Sequence, residues 1–201
     1  MWARRILSVV SLLCLAMVST QASSLTRFGA KLDINTQPSN AGNGIFCSVS
    51  AAHPDCSWVL MQAYQCEFGS CLNGHLAPKD GIVTKIRLIA CAPGSFVLQT
   101  ARANPLTKQA KVIHSGPLIN YNGDPQHCNG NTYKIDTFTV NVTVHKGDYL
   151  SVVTQKLGFV RCSGGGSNIL LFARPLADGA ALRTTSFHDG CFMLLEAIYN
   201  T

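Results

Sequence analysis

The sequence predicts an all-β protein: an antiparallel two-sheet sandwich, jelly-roll-like, with about eight strands and disulfide bracing. Three observations carry that expectation. Short segments rich in Val, Ile, Thr, Phe and Tyr recur between Gly, Pro, Asn and Asp. One of them, Asp136–His145, alternates apolar and polar residues with period two, as a strand does when one face is buried and the other wet. Nine cysteines among 201 residues point to an oxidising compartment, where cystines reinforce small cores. Hydrophobic residues make up 47% of the chain and charged ones 13%, which excludes a disordered protein. There is no Gly-X-Y period, heptad run or long block of like charge, so collagen, coiled coil and charged tail are excluded as well.

Residues 1–22 read as a signal peptide. Arg4 and Arg5 precede an apolar run from Ile6 to Val18, and Thr20-Gln21-Ala22 fits a small-x-small cleavage site. The run falls short of the roughly 20 apolar residues a membrane helix needs, and no later stretch is longer. The expectation is therefore a secreted or extracellular protein, periplasmic if the host is Gram-negative, without stable membrane insertion. Cleavage leaves 14 basic against 10 acidic residues, a net +4 in place of +6. Those charges are spread out, and only Lys85/Arg87 and Lys108/Lys111 approach a cluster. Nucleic acid is thus not an expected partner.

Residues 23–46 read as an N-terminal arm or linker, poor in large apolar groups. Residues 47–201 read as one β-sandwich domain. Its strands are expected at Ser57–Tyr64, Gly81–Ala90, Ser95–Ala101, Ala110–His114, Lys134–His145, Tyr149–Thr154, Asn168–Ala173 and Cys191–Tyr199. In Gly81–Ala90 the alternation places Ile82, Ile86 and Leu88 on one side, Lys85 and Arg87 on the other. In Asp136–His145 it places Phe138, Val140, Val142 and Val144 inside. Lys146-Gly147-Asp148 then turns the chain into the next strand. Trp58, Met61, Phe96, Phe138, Phe172, Phe192 and Met193 are expected in the core.

Eight cysteines remain after residue 22, an even number that suits up to four disulfides. First and last long strands often pair in sandwiches, which would set Cys91 opposite Cys191. Such a bridge would close a loop of about 100 residues, stabilising by roughly 4–5 kcal/mol in the chain-entropy model. Cys66–Cys71, Cys47–Cys56 and Cys128–Cys162 complete this candidate set, one among many connectivities.

The run Gly81-Ile82-Val83-Thr84-Lys85-Ile86, the later Leu98-Gln99, and Thr137–Val144 followed by Lys146-Gly147-Asp148-Tyr149-Leu150 resemble the strand grammar of secreted bacterial β-sandwich domains of unknown function. The resemblance spans roughly residues 57–199. It implies a sandwich fold and export, and it carries over no catalytic residue.

Catalytic signatures are sparse. Ser163-Gly164-Gly165-Gly166-Ser167 has neither a nucleophile-elbow nor a phosphate-loop frame, and reads as a flexible connection. Only Glu67 and Glu196 remain as glutamates after residue 22, and most aspartates sit in turns. Glu196 lies inside an apolar strand and reads as outward-facing or as a half-buried acid. H-E-x-x-H and C-x-x-C are absent, so neither a metal nor a cofactor is implied.

One stretch, residues 114–133 (HSGPLINYNGDPQHCNGNTY), concentrates Asn120, Tyr121, Asn122, Asp124, His127, Asn129 and Tyr133. Amides and carboxylates match sugar hydroxyls, and tyrosine faces stack on pyranose rings. A polar loop pinned by Cys128 explains the same composition without a ligand. The sequence therefore predicts a secreted, non-catalytic binding module that contacts extracellular carbohydrate or another surface macromolecule through this loop. The alternatives are an extracellular hydrolase using Asp124, His127, His188 or Asp189, two of them brought together by loops, or an interaction protein without a small ligand. Asn141-Val142-Thr143 is an N-glycosylation sequon on the wet face of the best strand, a feature that matters only in a eukaryotic source.

Overall fold

The computed structural model describes residues 25–33, 58–61, 76–90, 93–104, 106–124, 126, 133–154, 161–185 and 188–200, with backbone alone at 58, 60, 162–168 and 188–192. Eleven strands run in chain order: β1 (Leu25–Gly29), β2 (Trp58–Met61), β3 (Gly81–Leu88), β4 (Gly94–Asn104), β5 (Gln109–Tyr121), β6 (Asp136–Val144), β7 (Tyr149–Thr154), β8 (Cys162–Ala173), β9 (Arg183–Thr184), β10 (His188–Met193) and β11 (Leu195–Asn200). There is no α-helix among the described residues. The strands form two antiparallel sheets, ordered β1-β11-β3-β6 and β10-β8-β2-β7-β4-β5-β9. The expected signal peptide and the pairs Cys47–Cys56 and Cys66–Cys71 lie outside the described residues.

Both sheets feed one core. Val83, Ile86, Leu88, Val140, Val142, Leu195 and Tyr199 come from the four-stranded sheet; Phe96, Leu98, Leu150, Val152, Ile169 and Met193 come from the seven-stranded one. Each buried side chain of this size stabilises the fold by roughly 1.5–3 kcal/mol before entropy is counted. A second cluster sits on the outer face of the seven-stranded sheet, where Leu176 covers Val59, Met61, Val112 and Phe172. Met61, Phe96, Phe172 and Met193 are buried as expected, and Phe138 is half-buried against the core. Trp58 and Phe192 have no described side chain.

Strand β6 follows its alternation throughout: Val140, Val142 and Val144 are buried while Thr137, Thr139, Asn141 and Thr143 are exposed. Strand β3 does not. Its register slips between Val83 and Lys85 against both β6 and β11. A slip of one residue reverses which parity faces inward. Val83 is therefore buried, and Ile82, expected inside, is 47% exposed.

Segment 25–33, expected as part of an arm, supplies β1, which pairs with β11 from Leu25↔Asn200 to Gly29↔Glu196. As an edge strand it buries few apolar groups, chiefly Phe28, so its composition looks like a linker. Strand β5 runs seven residues beyond the expected His114. Gly116 and Pro117 read as breakers, yet both fit. The β4–β5 register slips between Val97 and Gln99, and a bulge on an edge strand tolerates a proline that cannot donate. Gly116 is required by closeness: a Cβ there would lie 2.7 Å from Val142 Cγ2 of β6. The Ser163–Ser167 stretch, expected as a connection, belongs to β8, whose register against β10 shifts between Asp189 and Cys191.

The expected pairing of first and last long strands is found between β3 and β11, from Ile82↔Asn200 to Leu88↔Leu195. Cys191 is not on that last strand. It lies on β10 in the other sheet, opposite Gly164, and Cys162 lies opposite Met193. The geometry that suggested Cys91–Cys191 is thus absent from the β3–β11 ladder; Cys91 and Cys128 are outside the described residues.

Candidate functional site

Residues 114–133 divide into two parts. His114–Tyr121 is the second half of β5, and Asn122, Gly123, Asp124 and Gln126 lead away from it. Strand β9 pairs only with Gln109 and Ala110. Beyond that, segment 178–179 holds the strand edge: Gly179 N donates to Val112 O at 3.2 Å, Ser115 N donates to Asp178 Oδ2 at 2.9 Å, and the Ser115 hydroxyl donates to Asp178 Oδ1. Pro117, Leu118, Asn120 and Asn122 are exposed, Leu118 at 64%.

Tyr121 turns inward. Its ring meets Phe138 edge-to-face at 5.7 Å, and its hydroxyl donates to Asp136 Oδ2 at 2.7 Å, with Ala90 O at 3.3 Å. Lys134 Nζ lies 3.3 Å from Asp136 Oδ1 and 3.3 Å from Asp124 Oδ2, tying the two carboxylates together. Burial, and then the carboxylate beside it, push the Tyr121 phenol above its usual range. The hydrogen bond to Asp136 and that carboxylate's charge hold the exposed Lys134 ammonium protonated above its own ordinary range. Tyr133 packs on a small cluster of Ala30, Leu32, Ile89 and Leu194. His127 and Asn129 lie outside the described residues.

The expected sugar-stacking role therefore does not fit Tyr121, whose ring and hydroxyl are both engaged. The outward amides Asn120 and Asn122 keep the surface position expected of them. Asp136 and Lys134 were not expected in the cluster. One signal pointed to Asp136: it shares parity with Phe138, Val140, Val142 and Val144, so an acid stood on the buried face.

Asp124 and Asp189 belong to distant parts of the sheet. Asp124 follows β5, near one end of the seven-stranded order, and Asp189 lies on β10 at the other end. At about 4.8 Å per strand, roughly 24 Å of sheet separates those strands. No group of three His, Cys, Asp or Glu converges among the described residues. His114 and His145 rings meet at 5.8 Å, and His145 Nδ1 is 3.9 Å from Asp80 Oδ1.

Glu196 is the most deeply buried carboxylate on the outer face of the four-stranded sheet. Its neighbours Leu195 and Ala197 enter the core, so it points away from that core, yet it is only 4% exposed. Arg87 Nη1 donates to its Oε2 at 2.6 Å, and Arg27 Nη1 lies 3.5 Å away. Both sequence readings of Glu196 thus hold in part: it faces outward, and two guanidinium groups cover it. Beside it, residues 27–33 line a surface cavity of about 440 Å³.

No protein-family model matches the chain, and comparison with curated proteins and with solved structures finds no match.

Proposed function

We propose that this protein is an exported, non-catalytic binding module, a jelly-roll-like sandwich braced by disulfides, whose ligand is an extracellular carbohydrate. The strand order supports the jelly roll. With β8, β9 and β10 set aside as additions, the eight remaining strands fall in the two-Greek-key order, β1-β11-β3-β6 against β2-β7-β4-β5.

One observation carries the binding reading. At the end of β5 and just after it, Tyr121, Asp124, Lys134 and Asp136 are bound to one another, while the amides Asn120 and Asn122 and the side chain of Leu118 face solvent. Such a surface offers paired donors and acceptors beside an apolar contact, which is what sugar hydroxyls and ring faces use.

The test is a glycan array probed with the wild-type protein and with Asn120→Ala/Asn122→Ala. Retention by the wild type and its loss in the double variant, at an unchanged unfolding midpoint, is expected. A wild type retained by no glycan overturns the carbohydrate reading and leaves a macromolecular partner to be sought. Tyr121→Ala is the wrong variant for this test, because it breaks the Asp136 contact and perturbs the fold.

A further inference from the structure

Asn141-Val142-Thr143 is the chain's single Asn-x-Ser/Thr sequence. A glycan on a sequon is compatible with the finished fold only where the asparagine can carry a bulky, solvated group. Strand β6 meets that condition through its alternation. Val142 enters the core at 2% exposure, while Asn141 and Thr143 on either side of it are exposed. The two residues that carry the chemistry therefore face solvent, and the middle residue anchors them.

The position in the sheet adds to this. Strand β6 is the edge of the four-stranded sheet, paired with β3 alone. Asn141 lies beside the register slip, between the pairs Thr139↔Lys85 and Val142↔Val83. Thr143 faces Ile82, the apolar side chain that the slip turns out to solvent. The strand is held from behind: Thr100 Oγ1 donates to Thr143 O at 3.0 Å, and Val142 meets Gly116 of β5. A group added at Asn141 projects away from these contacts and displaces none of them.

We infer that Asn141 is an N-glycosylation site, whose glycan stands on the outer face of the four-stranded sheet and shields Ile82. The inference rests on the export reading, taken through a eukaryotic secretory pathway. The co-reactant is an oligosaccharide carried on a lipid diphosphate. Asn141 Nδ2 forms a bond to the anomeric carbon, and the bond from that carbon to the diphosphate oxygen breaks. The lipid diphosphate leaves with the electron pair, and the amide proton passes to a base of the transferase. No electrons change hands between oxidation states.

The test expresses the full chain in a eukaryotic secretory host and treats the medium with a peptide N-glycosidase. The expected result is one downward mobility shift, lost in Asn141→Gln and Thr143→Ala and kept in Thr143→Ser. Cleavage in heavy-oxygen water should leave a labelled aspartate at position 141 of the wild type, which maps the site without any variant. Secreted protein with no shift, or a shift that survives in Asn141→Gln, overturns the glycan while leaving export standing. A chain that keeps residues 1–22 and stays inside the cell overturns export, and the glycan with it.

Discussion

The Tyr121 hydroxyl donates to the Asp136 carboxylate at 2.7 Å, joining the end of β5 to the start of β6 across the boundary between the two sheets. The carboxylate is nearly enclosed, and Lys134 reaches its other oxygen. Tyr121→Phe keeps the ring against Phe138 and removes only the donor. A hydrogen bond to a charged group is worth about 1.5–3 kcal/mol, so a loss near 2 kcal/mol is expected in denaturant unfolding, with an unchanged m-value. Asn120→Ala, exposed on the same strand, should change stability by less than about 0.5 kcal/mol. Equal effects from the two variants would remove Tyr121–Asp136 as an anchor.

Three phenols make the fold sensitive to alkali. Burial raises Tyr121, Tyr149 and Tyr199 above the ordinary value of 10.0. Above that pH the unfolded chain releases phenolic protons that the native state still holds. The contribution of these groups is therefore fully present below about pH 10 and is lost as pH rises toward their native values. Stability measured against pH should be level in this respect through neutrality and fall beyond about pH 10. The ultraviolet signal of phenolate should rise together with unfolding. Three phenols titrating at their ordinary value in a folded protein would contradict this.

Glu196 separates two kinds of ion pair. Arg87 is largely covered, while Arg27 is 56% exposed. Removing a buried partner strands a charge and costs about 3–5 kcal/mol when burial is complete; for this pair, whose Arg87 keeps some contact with solvent, Glu196→Ala should cost about 2–3 kcal/mol. An exposed pair is worth about 0–1 kcal/mol, so Arg27→Ala should cost less than about 1 kcal/mol. Chemical denaturation of both variants, with and without added salt, checks the ranking. An Arg27→Ala cost as large as that of Glu196→Ala would reverse the assignment.

Much of the architecture was legible because β6, β7 and β4 carry patterns that tertiary contacts only reinforce. The failures have specific physical sources. A one-residue slip beside Thr84 is set by neighbouring strands, and nothing in Gly81–Ala90 itself announces that Ile82 will face solvent. Gly116 and Pro117 interrupt strands by local preference, but the close approach of Val142 and the tolerance of an edge bulge override that preference. Leu25–Gly29 needs β11 to become a strand at all. At the candidate site, the concentration of amides and tyrosines in 114–133 was visible. Which of them turn inward depended on Asp136, whose inward parity was readable and whose partner was not.

The β6–β7 turn gives a sharper test, since one residue there acts through its side chain and its neighbour only through its backbone. Asp148 is fully buried; its Oδ2 accepts from His145 N at 2.7 Å, and its Oδ1 lies 3.2 Å from Arg102 Nε. Gly147 beside it has φ of +85°, and a Cβ added there meets nothing within 4 Å. Gly147→Ala therefore carries only the left-handed backbone penalty, about 1–2 kcal/mol. Asp148→Ala leaves the His145 amide and the turn without their acceptor, about 1–3 kcal/mol by the cost of an unsatisfied buried group. The two residues share one turn, so the double variant should cost less than the sum of the singles. A double-variant cost equal to that sum would mean that the aspartate and the glycine stabilise the hairpin independently, against the geometry of a single closed turn.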